Sequence, residues 1–408
     1  MNKTNWKKCK LGDVATTTTT KISCSDITSN YISTENMLPD KGGIVAASSF
    51  PSTGNVSTYQ QGDILVSNIR PYFKKIWRAT CNGTASNDVI IFCANEGVDN
   101  LYLYYLLADD RFFAYVMTGA KGTKMPRGDR KQILQYPVNL PSLEEQKRIA
   151  EILGSLDDKI ELLQKQNKTL EDMAKALFKS WFVDFDVVRA KQKGLPKADI
   201  MREYHLTDEF YDLFPSSFAD SPLGPIPSGW EVKTLGDVVV CHDSKRVPLS
   251  NRERSEKQGP YPYYGATSIM DHVENYLFDG IFLLLGEDGS VVKPDGTPFL
   301  QYVFGKIWVN NHAHVLQGKG NIRTEYLYLF LSDVQIQPYV TGAVQAKLNQ
   351  KNMNSIPLCV ANEEIIKIFQ GNIDIVFTKI RANLKQIQTL TELRDTLLPR
   401  LISGKIRV

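Results

Sequence analysis

Two stretches of the chain carry an apolar period of seven. In the first, Ser142 stands three residues before Glu145 as a capping box, and no proline intervenes from there to about Asp184. Ile149, Leu156, Leu163, Leu170 and Leu177 form one seam; Leu153, Ile160, Asn167, Ala174 and Trp181 form a second, four residues on. The same grammar returns near the end of the chain. Phe369, Val376, Asn383, Leu390 and Leu397 occupy the a positions, and Ile373, Ile380, Ile387, Arg394 and Leu401 the d positions. The spacing predicts two long helices with coiled-coil seams.

The asparagines choose how such helices pair. In a parallel pairing Asn383 faces Leu163 and Asn167 faces Ile387, which leaves two buried amides without partners at roughly 1 to 3 kcal/mol each. An antiparallel pairing in which facing residue numbers sum to 550 sets Asn167 on Asn383. That register also puts Ile149 on Leu401, Leu153 on Leu397, Ile160 on Leu390 and Trp181 on Phe369. Its one other polar layer is Leu156 on Arg394, where an arginine stem can lie along apolar surface with its head in water. A helix of about 40 residues is about 60 Å long, so the pair is expected to act as a ruler with a globular domain at each end. From the heptads alone, a dimerisation coiled coil is equally open.

The rest of the chain is a duplication. Leu11-Gly12-Asp13-Val14 recurs as Leu235-Gly236-Asp237-Val238, each five residues after a tryptophan, Trp6 or Trp230. The offset of 224 also carries Asn87 onto Asn311, Tyr102-Leu103-Tyr104 onto Tyr326-Leu327-Tyr328 and Tyr115-Val116 onto Tyr339-Val340. It drifts to about 220 by Pro137 and Pro357, with Thr118-Gly119-Ala120 meeting Thr341-Gly342-Ala343 on the way. Short apolar runs, Gly62 to Arg70, Val89 to Cys93 and Gly280 to Leu285, read as strands, and Leu101 to Leu107 and Glu325 to Leu331 as buried core helices. The expected fold is α+β: two tandem globular α/β domains, 1–141 and 230–361, and two long helices, 142–186 and 362–408, in an antiparallel coiled coil with pseudo-twofold symmetry. Residues 187–229, rich in Lys, Pro, Ser and Gly, read as a linker. The duplication favours an intramolecular helix pair.

Composition narrows the chemistry. With 408 residues, 42% hydrophobic and 23% charged, the chain is that of a folded multidomain protein. Its longest apolar run, Ile281 to Leu285, is far too short to span a bilayer, and its start is polar, so a cytoplasmic location is expected. Six cysteines without a CxxC pair argue against a disulfide framework or a zinc site. A net charge of +3 makes any nucleic-acid surface local. Gly305-Lys306 and Gly404-Lys405 are each followed by isoleucine, so neither is a phosphate-binding loop, and no Asn-Pro-Pro or Asp-Pro-Pro run of an amino-methyltransferase is present. His312 and His314 alternate on a strand without a third ligand and read as structural; Gly286-Glu287-Asp288-Gly289 reads as a hairpin tip. No catalytic residue and no metal site is expected.

The run from Leu177 to Asp186 (Leu-Phe-Lys-Ser-Trp-Phe-Val-Asp-Phe-Asp), Leu223 to Trp230, Leu348-Asn349 with Ile356-Pro357, and Leu393 to Ile406 together resemble the specificity subunits of type I restriction–modification systems, along nearly the whole chain. The first copy departs, with Met125-Pro126-Arg127 near where the second has Leu348-Asn349. The resemblance implies a non-catalytic subunit with two target-recognition domains that read the halves of a split site in double-stranded DNA. It implies helices that dock two modification subunits, and these would carry S-adenosylmethionine and methylate adenine; a motor and nuclease subunit is a further implied partner, for cleavage. This chain itself would need no cofactor. Half-sites one turn apart, roughly 34 Å for 10 base pairs, suit a 60 Å ruler.

Candidate DNA contacts follow from local charge. In copy one they are Lys121, Lys124, Arg127, Arg130 and Lys131, with Arg70, Lys74, Lys75 and Arg78 as a second group. In copy two they are Gln345, Lys347 and Asn349, with Lys245, Arg246, Arg252 and Arg254. Arginine suits a guanine edge and glutamine an adenine edge, so Arg127 and Gln345 are the expected base readers. Two rival readings are a coiled-coil scaffold whose duplicated domains bind proteins, and an enzyme with an unrecognised site.

Overall fold

A computed structural model describes residues 6–18, 20–27, 30–342 and 345–408. Residues 1–5 of the polar start and Ala343 of the repeated Thr-Gly-Ala lie outside them. The chain forms two compact units, residues 1–163 with 386–408 and residues 164–385.

Unit 1 is built on a four-stranded sheet in the order Ala15–Thr17, Val89–Ala94, Ile64–Ser67, Ile76–Arg78. Its central strands are buried on both faces, and strand alternation sorts their side chains. Ile64, Val66, Ile90 and Phe92 join a core with helices Asn100–Ala108 and Asp110–Thr118. Leu65, Val89 and Ile91 join a smaller core on the other face. A second four-stranded sheet, Lys21–Ser23, Asn55–Tyr59, Gly83–Ala85 and Tyr31–Ile32, completes the unit.

Unit 2 repeats the first sheet with the same order, Val239–Cys241, Ala313–Gly318, Phe278–Gly286, Leu300–Val309, and extends it with Gln258–Tyr264 and Ile269–Val273 to six strands. The alternation is again legible: Leu283, Leu285 and Leu316 face the helix-side core, and Phe282, Leu284 and Val315 the other. In both units a short ladder ties the start of the copy to its end, Lys7–Lys10 on Pro137–Leu140 and Glu231–Thr234 on Pro357–Val360. The duplication seen in the sequence is thus a duplication of topology.

Both long helices run for 40 residues, Leu143–Phe182 and Glu363–Ile402. Within unit 2 the two asparagines meet: Asn383 Nδ2 donates to Asn167 Oδ1 at 2.8 Å, with the Trp181 and Phe369 rings tilted against each other at 5.5 Å in the same antiparallel register. Within unit 1, Ile149 and Leu153 share a core with Leu397 and Leu401. The Arg394 head does not simply rest in water. It donates to Asp157 at 2.8 Å, and Asp157 also accepts the Tyr105 hydroxyl at 2.7 Å, so the polar layer is closed by a neighbouring acid.

The segment expected as a linker is instead part of unit 2. Residues 187–229 largely fold as short helices, continuing the turn that starts Asp186–Gln192, then Lys197–Glu203 and Asp208–Leu213, and as a strand pair, Phe218–Ala219 with Ile226–Pro227. The reason is apolar spacing inside the polar composition: Val187, Val188, Ile200, Phe210 and Phe214 are buried in the unit 2 core, and burying such side chains contributes roughly 1.5 to 3 kcal/mol each.

Candidate nucleic-acid interface

In unit 1 the loops that carry most of the predicted basic residues are brought together by one backbone frame, and unit 2 repeats that frame around Gln345 and Lys347. In unit 1 the loop 121–127 closes on itself, with Lys121 and Arg127 exchanging both backbone hydrogen bonds at 2.9 Å. It is laid against the turn after strand Ile64–Ser67: Gly128 N donates to Asn68 O at 3.2 Å, Arg70 N to Pro126 O at 2.8 Å, and Asn68 N to Asp88 O at 2.8 Å. Unit 2 repeats each bond, with Thr341-Gly342 at the place of Lys121-Gly122 and not of Thr118-Gly119 as the sequence match has it. Thr341 and Lys347 exchange theirs at 2.8 and 2.7 Å, Leu348 N donates to Glu287 O at 2.8 Å, Gly289 N to Ala346 O at 3.1 Å, and Glu287 N to His312 O at 2.9 Å. Backbone bridges Ile69 to Arg127 and Asp288 to Lys347 correspond in the same way. A short capped helix follows each loop, Arg130–Ile133 behind Asp129 and Gln350–Asn354 behind Asn349.

Side chains on this shared frame differ at nearly every place. Asn68, Ile69 and Arg70 stand where unit 2 has Glu287, Asp288 and Gly289; Met125 and Arg127 stand where it has Gln345 and Lys347. In unit 1 the loop is open to solvent: the Lys121 side chain is 82% exposed, and Arg127, 58% exposed, has a 3.1 Å ion pair with Asp88. Arg130 reaches Asn87 O at 2.7 Å, while Lys124, Lys131 and Arg78 are exposed. Lys74 pairs with Asp110 at 2.8 Å.

In unit 2 the corresponding corner is a buried ion-pair knot. Arg246 donates to Glu287 at 2.7 Å and to Ala313 O at 2.7 Å, and lies 3.3 Å from Asp243. His314, on the strand Ala313–Gly318, is 1% exposed; its Nδ1 faces Asp243 Oδ2 at 2.5 Å and its Nε2 donates to Leu348 O at 2.8 Å. Lys347 reaches Glu287 at 3.5 Å, and His312, half exposed, meets Asp288 at 2.5 Å. Burial alone pushes the Asp243 carboxyl up, but the hydrogen bonds and charges of His314, Val315 N and Arg246 outweigh it and hold it below its ordinary 3.8. Cys241 has donors within 4.8 Å of Asp243 and His314. Its thiol is pushed up to about 12, chiefly by burial, and Arg246 already supplies the cation for these acids, so the donor set suits an ion-pair knot better than a metal.

Four predicted contacts are therefore corrected. Arg246 is turned inward onto Asp243 and Glu287. Arg254 is buried, with Nη1 on Leu249 O at 2.8 Å and Nε on Asp271 at 3.2 Å, because its place in helix Asn251–Glu256 faces the sheet. Lys75 is drawn to Thr34 O at 2.6 Å, and burial pulls its ammonium below the usual lysine value. Asn349 spends its Oδ1 as a helix cap on Asn352 N at 2.9 Å. Lys245, Arg252, Gln345 and Lys347 remain exposed, although Arg252 pairs with Glu256 at 2.9 Å. Glu287 and Asp288 were missed as partners of the loop closed by Thr341 and Lys347, since the repeat offset slips to 219 there and hides their match to Asn68 and Ile69.

Known proteins align with this arrangement. A family profile described as "Type I restriction modification DNA specificity domain" matches residues 3–172 and 227–393, once per copy. The type I restriction enzyme HindI specificity subunit of Haemophilus influenzae is 26% identical over 98% of this chain and 100% of its own length. The MjaIX specificity subunit of Methanocaldococcus jannaschii is 27% identical over 77% of this chain and 70% of its own. The crystal structure of the S subunit from M. genitalium superposes with a TM-score of 0.55 at 17% identity, covering 98% and 97% of the two chains, which supports the fold. Among the described residues no helix is long and apolar enough to cross a membrane. The chain belongs to the family of type I restriction–modification DNA specificity subunits.

Proposed function

We propose that this chain recognises a bipartite DNA target, one half through each unit, and so directs adenine methylation by partner modification subunits and, with a motor subunit, cleavage. The observation that carries this reading is the repeated frame with unlike side chains: the same loop pinned to the same turn, presenting Arg70, Met125 and Arg127 in unit 1 and Gly289, Gln345 and Lys347 in unit 2. A scaffold for unrelated proteins would not need one backbone filled twice with different hydrogen-bonding groups, whereas two unlike half-sites do. Arg127 and Gln345 are the proposed base readers. Lys121, Lys124, Arg130, Lys131 and Arg78 in unit 1, and Lys245, Arg252 and Lys347 in unit 2, are proposed phosphate contacts. S-adenosylmethionine is assigned to the modification subunits, of which two are expected.

The test is genome-wide adenine methylation in cells expressing this chain with its modification subunit, against cells lacking the chain. A new split motif with unlike halves supports the proposal. An intact complex that adds no methylation, and whose DNA affinity does not fall with salt, returns the duplicated domains to a protein-binding role.

A further inference from the structure

Arg70 adopts a left-handed backbone, φ 49°, at the place where unit 2 has Gly289 at φ 74°. Glycine takes this conformation freely, whereas an arginine is strained in it. The strain is retained in unit 1 together with a second left-handed residue, Lys74 at φ 49°, and the two bracket a single 3-10 turn, Pro71–Phe73. That turn is clamped: Phe73 O accepts from Asp40 N at 2.8 Å, Lys74 O from Lys41 N at 3.0 Å, and Arg70 N donates to Pro126 O in the recognition loop.

What the clamp presents is a pair of rings. Tyr72 and Phe73 lie 4.7 Å apart and are 48% and 38% exposed, beside a loop whose Met125 is 51% exposed. The turn's flanks are cationic, with Arg70, Lys74, Lys124 and Arg127, of which Lys74 and Arg127 each have one acid partner, Asp110 and Asp88. Arg70 Nε is buried without an acceptor among the described residues. Apolar rings ringed by cations fit a polyanion with an apolar interior, which is duplex DNA: phosphates for the cations, base faces or methyl groups for the rings. A protein surface complementary to this corner would have to be both acidic and apolar; the charge pattern alone is met by any DNA duplex.

We propose that the Arg70–Phe73 turn is a further sequence-reading element of unit 1, pressing Tyr72 and Phe73 onto the bases of its half-site while Arg70 engages the duplex beside Arg127. Among the described residues unit 2 has no such turn after Gly289, so one half of the target is read with an apolar wedge and the other without. This inference rests on the DNA-reading function proposed above.

The experiment uses the full chain assembled with its modification subunit and a duplex carrying the motif found by methylation mapping, with 2-aminopurine placed in turn at each position of the half-sites. Tyr72→Ala with Phe73→Ala is expected to lower cognate affinity by about ten- to hundredfold, to abolish a 2-aminopurine signal seen at one step with the wild type, and to relax the methylated motif in one half. Non-specific affinity and its salt slope stay unchanged, because rings neutralise no phosphate. Arg70→Gly, which installs the residue of unit 2, is expected to keep or raise the thermal midpoint while cognate affinity falls; a merely structural arginine would not separate the two readouts. Cognate affinity, motif and fluorescence equal to wild type in both variants overturns the inference and leaves the DNA-reading function standing. A variant that binds DNA as the wild type does but no longer assembles with the modification subunit overturns it in favour of a protein contact. A wild-type complex without salt-dependent DNA affinity overturns the function itself, and this inference with it.

Discussion

In unit 1 the strand position of Ile90 is a buried apolar side chain, and the loop above it is held by backbone bonds and two exposed ion pairs, Arg127 with Asp88 and Lys121 with Asp129. In unit 2 the same position is His314, buried to the same degree, and the loop is held from below by Asp243, Arg246 and Glu287 as well. The backbone frame is shared; the energetics are not. Exposed pairs between long side chains contribute roughly 0 to 1 kcal/mol, while removing one partner of a buried pair costs about 3 to 5 kcal/mol through the charge left behind. A frame that tolerates both arrangements lets the surface of each half vary without moving the loop.

The largest expected effect separates the two. Asp243→Ala leaves Arg246 and His314 facing one acid fewer in a nearly solvent-free corner and should lower stability by about 3 to 5 kcal/mol, read as a fall in the thermal midpoint of the full chain. Asp88→Ala, which frees Arg127 at the matching corner, should cost less than about 1 kcal/mol. Equal losses would mean that the knot is no more structural than the exposed pair. Acid sharpens the same contrast. A carboxyl whose folded pKa is depressed contributes stability that is complete above its unfolded value and is lost as pH falls through the folded one. Asp243 is held below 3.8, so its contribution should persist from neutral pH down to about 4 and disappear below it. The thermal midpoint of the full chain should therefore fall as pH drops below that value, and Asp243→Asn should remove this part of the dependence.

The helix pair offers a second contrast within unit 2, between a satisfied amide pair and a broken one. Asn383 is 1% exposed, and Asn383→Leu should cost about 1 to 3 kcal/mol because the Asn167 amide then lacks its partner. Replacing both by leucine should recover most of the loss, as measured by denaturant midpoints. If the double variant is no better than the single, the asparagines are not coupled and the register argument from their pairing fails.

Much of this was legible in the chain because it is written in periods. The heptads fixed two helices and the asparagines their direction; the repeated Leu-Gly-Asp-Val and Tyr-Leu-Tyr marked two copies of one sheet. Three features were not. The segment 187–229 has a linker's composition, yet Phe210 and Phe214 at helical spacing anchor it in the core. Arg254 and Arg246 look like any other basic loop residues, since inward direction depends on tertiary neighbours such as Asp271 and Glu287. The Glu287–Gly289 corner could be matched to Asn68–Arg70 only by following backbone bonds through an indel, after which the left-handed Arg70 became visible as an arginine in a glycine's place.

Base reading should differ in size between the corners. Arg127 is pinned by one exposed acid and can swing to a guanine edge, where a bidentate contact is worth about 1 to 3 kcal/mol of discrimination. Arg127→Ala should therefore relax the methylated motif at one position in one half. Lys347→Ala removes a side chain already drawn to Glu287 and should leave the motif as it is.

The smallest effect tests charge without reading. Lys124 is exposed in the unit 1 loop, three residues from Arg127, and has no place in the backbone frame that holds it. As a phosphate contact it would release about one counterion on binding, so Lys124→Ala should reduce the slope of log affinity against log salt by about 1. Cognate and non-cognate duplexes should weaken together, and the methylated motif should keep both halves. An unchanged slope would place the loop's outer edge away from the duplex and leave Arg127 and the aromatic turn to carry unit 1's contact; a changed motif would mean that a lysine taken for a charge also reads a base.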